Sequence, residues 1–210
     1  MADTGKTNAL FIVLEGIDGA GTTTQARLLA RWFEDGGHGV EQTFEPTRGP
    51  VGRVIREAIQ AHAPDFDERV FALLFAADRV DHVQTCIAPA IEAGRFVVSD
   101  RYVMSSLAYQ SVALDLGWVR ELNRFATPPD ITFLLDGPVE DCLARLDVAG
   151  RGGERYEKAQ LLEQIRLNYQ QIASTLAEEG QRIETLDATH SIDDLHGQIV
   201  DTVGSLIVRR

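Results

Sequence analysis

Lysine is almost missing from this chain. Only Lys6 and Lys158 occur among 20 basic residues, and the rest are arginines. Any phosphate bound here must therefore meet guanidinium forks, which grip it bidentately. Positive charge is short overall, with a formal net charge of −12. A sequence-independent nucleic-acid binder needs a basic surface to displace counterions, so that class is excluded and positive charge is expected in a pocket. Cysteine is scarce too. Cys86 and Cys142 lie in apolar helical contexts without C-x-x-C spacing; they read as buried free thiols rather than a metal site or disulfide, as suits a reducing cytoplasm. No apolar run approaches the ~18 residues of a membrane span, and residues 1–8 lack the apolar stretch of a signal peptide. The expectation is a soluble, cytoplasmic protein without membrane or nucleic-acid partner. With 210 residues and 44% hydrophobic content, the chain suits a single domain over 1–210 with a substantial core.

Strand-like runs recur at 10–14, about 40–44, 96–99, 131–135 and 183–186. Helical spacing is found at 22–36, 51–61, 66–93, 103–114, 116–126, 138–146, 157–179 and 191–208. Alternation of this kind predicts an α/β fold, a five-stranded parallel sheet with helices on both faces. The Gly/Arg-rich stretch Val148 to Arg155 reads as part of a lid over about 147–157.

Between the first strand and first helix stands Gly16-Ile17-Asp18-Gly19-Ala20-Gly21-Thr22-Thr23-Thr24. This is the strand, glycine-rich turn, helix context of a phosphate-binding loop, but the lysine of G-x-x-x-x-G-K-[ST] is Thr22. Glycines let the backbone approach a polyphosphate, so that Gly16, Gly19, Ala20, Gly21, Thr22, Thr23 and Thr24 present amides and a helix N-terminus to the anion. Thr23 would offer its hydroxyl to Mg²⁺. A Rossmann-type turn is the competing reading. Strand 96–99 ends in Asp100-Arg101-Tyr102, at the sheet edge where open α/β folds bind ligands. Asp100 can hold Mg²⁺ through water and Arg101 can grip a phosphate, although a capping pair would look the same. Glu15 reads either as a catalytic neighbour or as a strand-end carboxylate, and His82 as packed or solvated rather than a ligand.

Asp100-Arg101-Tyr102 followed by Ser105-Ser106-Leu107-Ala108-Tyr109-Gln110 resembles the signature of thymidylate kinases. Phe11 to Gln25 resembles their opening strand and P-loop, Phe44-Glu45-Pro46 their Arg-Glu-Pro segment, and Phe75 to Arg79 their nucleoside-binding helix. Pro129-Asp130 to Leu135-Asp136 resembles the fourth strand, and Asp187-Ala188-Thr189 the loop near adenine. The resemblance implies a nucleoside monophosphate kinase type of P-loop fold with a short lid, phosphorylation of dTMP by ATP with Mg²⁺, and a homodimer. It also implies roles by position. Phe75 would stack on thymine, Arg79 and Gln110 would hydrogen-bond the base, and Ser105 and Ser106 would border its pocket. Arg56 and Arg101 would hold the dTMP phosphate and Asp18 would lie near the acceptor and metal, with Glu45, Pro46 and Tyr109 completing the dTMP site. Without the family, Phe75 reads as core.

Two cations of that pattern are absent, since Thr22 replaces the P-loop lysine and Phe44 the arginine of Arg-Glu-Pro. One preorganised donor is worth roughly 10²- to 10³-fold in rate and an inserted arginine about 10³ to 10⁵, so compensation is feasible. Gly19 occupies the position where some members carry arginine, and members with glycine there resemble ones that use basic lid residues. Arg151 and Arg155 are thus expected to be catalytic, Arg145 less so because it lies earlier on its helix, with Arg48 or Arg53 as a second source. Three functions stay open: an active dTMP kinase, a kinase of another base specificity, and a nucleotide-binding homologue impaired in catalysis.

Overall fold

A computed structural model describes residues 9–60, 66–146 and 152–208, with side chains omitted for 152–156. Five strands, β1 (Phe11–Gly16), β2 (Val40–Phe44), β3 (Phe96–Asp100), β4 (Ile131–Asp136) and β5 (Ile183–Asp187), pair in the order β2-β3-β1-β4-β5. Every pairing is parallel. β1 is buried throughout, as expected for a central strand covered on both faces. Its alternation divides the core: Leu10, Ile12 and Leu14 join the larger apolar cluster, while Phe11 and Val13 join a smaller one with Val83, Ile87, Val97 and Tyr102. Strand order reverses at β1, so ligands are expected beyond its C-terminal end.

The helices are α1 (Thr22–Asp35), α2 (Pro50–Gln60), α3 (Glu68–His82), α4 (Ala88–Glu92), α5 (Val103–Gln110), α6 (Leu116–Leu122), α7 (Val139–Arg145), α8 (Gly152–Glu178) and α9 (Ile192–Val208). The single helix expected over 66–93 is divided. Val83–Ile87 winds as a π turn, with the Ala88 amide bonding Val83 O. Pro89 follows in α4 and lacks the amide that an unbroken α-helix would use there. α8 begins at Gly152, inside the span read as lid. The lid residues 147–151, Arg151 among them, lie outside the described residues, as does the Arg155 side chain.

Candidate active site

β1 delivers the chain into the turn at its C-terminal end, and the turn is shaped by close packing. At Gly19 (φ 86), an added Cβ would lie 2.3 Å from the Cys142 carbonyl oxygen. This excludes any larger residue there, arginine included. Gly21 begins α1 in the left-handed region with no side chain capping the first-turn amides. Those amides are free to meet an anion, and the helix dipole favours one. Thr22, in the lysine position, is 5% exposed. Asp18 to Gln25 line a cavity of about 830 Å³ whose other walls include Arg101, Arg145, Lys158, Ala188 and His190.

Thr23 donates its hydroxyl hydrogen to Asp100 Oδ2, tying α1 to the end of β3. Asp100 Oδ1 is buried and has no partner among the described residues. A carboxylate oxygen left unpaired beside a threonine hydroxyl fits a hard, partly hydrated cation such as Mg²⁺, which takes one or two carboxylates and completes its shell with water and substrate oxygens. Among the described residues no group of three or more His, Cys, Asp or Glu could hold a metal by itself, so substrate oxygens would be part of such a site.

Arg101 sits at φ 71, an uncommon conformation for a non-glycine residue. From Nη1 it donates to Gly16 O (3.0 Å), Ser105 Oγ (3.2 Å) and Tyr169 Oη (3.4 Å), and from Nη2 to Asp18 Oδ1 (2.7 Å). Its guanidinium lies 5.3 Å from the Tyr109 ring centroid, and the Tyr109 hydroxyl donates to Asp18 Oδ1. Beneath it, Glu15 is fully buried. Glu15 Oε1 accepts from the Tyr102 and Ser105 amides, and Oε2 from the Ser105 and Tyr169 hydroxyls. Burial pushes its carboxyl up, against the Ser105 and Tyr169 hydrogen bonds and the nearby Arg101 charge.

A second network lies under α3. Arg79 is 1% exposed and donates from Nε and Nη2 to Glu45 Oε2, from Nη1 to Asn123 Oδ1, and from Nη2 to Tyr102 O and Ser106 Oγ. That leaves one Nη1 hydrogen without a partner among the described residues. His82 lies against the other Glu45 oxygen (Nδ1 to Oε1, 3.0 Å) and against Thr43 Oγ1 (2.7 Å). Burial opposes charge on this ring, but its contacts with Cys86 and Glu45 outweigh it and carry the pKa up to about 9. The folded chain thus holds a proton that the unfolded chain releases near pH ~6.5. The associated stabilisation is whole below that pH and is lost as pH rises through about 9. Denaturant titrations are expected to show a decline on the order of 3 kcal/mol between these limits, from 1.36 kcal/mol per pKa unit. His82→Gln should remove most of it; an unchanged slope would mean that His82 does not carry the proton.

The site residues expected from sequence fall into three groups. Asp18, Gly16, Gly19 to Thr24, Asp100 and Arg101 gather at the P-loop edge. Glu45, Ser105 and Ser106 face inward as supports: Glu45 has both oxygens engaged by Arg79 and His82, Ser105 bonds Glu15 and Arg101, and Ser106 accepts from Arg79. The third group keeps capacity for a ligand. Phe75 is only partly buried and belongs to neither apolar cluster, so the core reading of it is set aside. Gln110 has a buried Oε1 without a partner among the described residues. Arg56 donates to Pro46 O across from the cis Glu45–Pro46 peptide. Arg48 places its guanidinium 5.4 Å from the centroid of the Phe44 ring, at the position where the resembled pattern has arginine.

Asn123, Tyr169 and Lys158 stand in no motif that assigns them a role, Glu15 is ambiguous from sequence, and Arg145 is less favoured there than Arg151 and Arg155. Arg145 Nη2 donates to Ala188 O (2.7 Å) and Nη1 to Gly19 O (3.4 Å), bridging the P-loop and the loop after β5. The chain's own helical spacing placed Arg145 at the end of α7, but not which loops would fold onto it.

The thymidylate kinase family model matches residues 14–199. The chain is 42% identical over 206 residues to a "Probable thymidylate kinase" of Thermococcus kodakarensis, covering 94% of this chain and 98% of the relative. It is 41% identical over 197 residues to a "Thymidylate kinase" of Leifsonia xyli, covering 90% and 92%. With a protein of Methanocaldococcus jannaschii named "Probable thymidylate kinase" the identity is 38% over 192 residues, covering 91% and 94%. A match spanning both the P-loop and the Asp-Arg-Tyr edge, at this identity over nearly the whole length, means that the chain belongs to the thymidylate kinase family.

Proposed function

We propose that this protein is a dTMP kinase that transfers the γ-phosphoryl group of ATP to dTMP. The observation that carries this reading is the convergence at one sheet edge of an uncapped P-loop, a carboxylate with an unpaired oxygen, and Arg101 bridging Gly16 and Asp18. A dTMP phosphate oxygen forms the new bond to the γ-phosphorus, and the bond from that phosphorus to the β,γ-bridging oxygen breaks. The electron pair leaves with ADP, and the products are dTDP and ADP. The attacking oxygen is already anionic, so no strong base is required. Catalysis is then mainly positioning and charge neutralisation.

The first-turn amides of α1 cradle the ATP phosphates. Thr23 and Asp100 would hold Mg²⁺, which would neutralise charge on the phosphoryl oxygens. Arg101 and Arg56 hold the dTMP phosphate, and Asp18 fixes Arg101 beside it. Phe75 stacks on thymine, while Gln110 and the remaining Nη1 hydrogen of Arg79 address its edge. Stacking gives affinity without reading the base, whereas fixed donors aimed at carbonyls reject cytosine, which presents an amine. Arg151 and Arg155 are assigned to the lid at about 147–157, whose closure excludes water.

Val70, Leu73 and Val80 form an exposed apolar stripe on α3 that supports a homodimer through helix packing. No described helix is long and apolar enough to cross a membrane, and both cysteines are free, which fits a cytoplasmic enzyme.

The test is ADP formation from ATP and Mg²⁺ with dTMP, dUMP, dCMP, dGMP, thymidine or no acceptor. Turnover strongly preferring dTMP is expected. Binding of both substrates without turnover, relieved by Thr22→Lys, would instead identify an impaired homologue.

A further inference from the structure

We infer that Lys158, on α8, replaces the missing P-loop lysine by reaching the ATP polyphosphate from the α8 wall of the same cavity. The inference rests on the kinase reading and concerns which residue supplies its positive charge. In the usual loop, the lysine contacts the β- and γ-phosphates from the start of the helix. Here Thr22 stands at that point, buried and uncharged. Among the described residues three Lys or Arg side chains line the cavity: Arg101, Arg145 and Lys158.

Two of the three already have a place: Arg101 serves the dTMP phosphate in the proposed reaction, and Arg145 joins two loops. Arg101 is held by Gly16, Ser105, Tyr169 and Asp18, with its charge offset by that last carboxylate. Arg145 is directed to the carbonyls of Ala188 and Gly19 and serves as a brace between two loops. Lys158 is half-buried, and among the described residues it has no hydrogen bond or ion pair. Its ammonium is a compact charge on a long flexible stem, so it can follow a polyphosphate in a way that a braced guanidinium cannot. Composition adds an independent point. A chain that uses arginine almost everywhere has one of its two lysines in the wall of this cavity.

This placement also accounts for the tolerance of Thr22. A lysine in the P-loop and one on α8 would converge on the same phosphate oxygens, and either can neutralise the charge.

The experiment compares wild type, Lys158→Ala, Lys158→Gln and Lys158→Arg in two assays. The first is steady-state ADP formation with dTMP. The second is calorimetric binding of Mg²⁺ with a β,γ-imido ATP analogue, set against AMP. Lys158→Ala and Lys158→Gln are expected to lower kcat by about 10²- to 10³-fold, with KM for dTMP little changed. They should weaken the triphosphate analogue but not AMP, and Lys158→Arg should recover part of both losses. In a Thr22→Lys background, Lys158→Ala should cost less than about tenfold. A kcat for Lys158→Ala within about threefold of wild type overturns the inference, as does an equal loss of affinity for analogue and AMP, the mark of a structural role. If wild type fails to turn over dTMP, the kinase reading falls, and the analogue-against-AMP comparison still decides whether Lys158 binds the polyphosphate.

Discussion

Replacing Arg101 by alanine is expected to lower kcat by about 10³- to 10⁵-fold, the range associated with an arginine that stabilises a transferring phosphoryl group. Its geometry explains so large a value. One guanidinium donates to the last residue of β1, to Asp18 beside the P-loop and to the hydroxyl of Tyr169 on α8. On the proposed reading the substrate phosphate meets a fork whose position is fixed before binding, so that little reorganisation is needed during reaction. Arg101→Lys keeps a charge but loses the rigid fork, so it should recover only a small part of the rate. The backbone contribution can be separated from the side chain. At φ 71, an alanine retains most of the left-handed strain and a glycine does not, so Arg101→Gly should be more stable than Arg101→Ala by about 1 kcal/mol while being equally inactive. Retention of more than a tenth of wild-type kcat by either variant would remove Arg101 from the transition state.

The P-loop edge of the candidate site is legible in the sequence because its signals are local. A glycine-rich turn, a strand that ends in Asp-Arg and a Phe with an Arg one turn later are patterns within a few residues of one another. The supports beneath them are not local. Glu15 meets Ser105 and Tyr169, 90 and 154 positions away along the chain. Arg79 meets Glu45 and Asn123, 34 and 44 positions away. No period or motif announces such pairs, since each depends on which strands become neighbours. For the same reason the sequence does not announce how Arg79 is held, with most of its hydrogens engaged within the protein and one Nη1 hydrogen left over. Sheet strands and most helices followed from alternation of apolar runs. The long helix expected over 66–93 was interrupted at a proline, where the apolar pattern continues but one backbone donor does not.

Glu15→Ala is expected to destabilise the chain by about 3–5 kcal/mol, a large share of the ~5–15 kcal/mol that holds a typical protein folded. The side chain is completely buried at the end of β1, yet two backbone amides and two hydroxyls point at it. Truncation would leave those donors facing a void, and each buried unsatisfied group costs about 1–3 kcal/mol, with some relief if water enters. Arg101 would also lose a compensating negative charge below it. Activity should therefore fall together with stability, because the Ser105 and Tyr169 hydroxyls that Arg101 contacts would lose the acceptor that orients them. Glu15→Gln preserves shape and one acceptor oxygen, but it turns an amide donor toward hydroxyls that can rotate to accept. Its cost should be nearer 1–2 kcal/mol. Urea titrations read these differences as shifts in midpoint at constant slope. A cost below about 1 kcal/mol for Glu15→Ala would mean that the four donors find other partners, and that Arg101 is held by Asp18 and Gly16 alone.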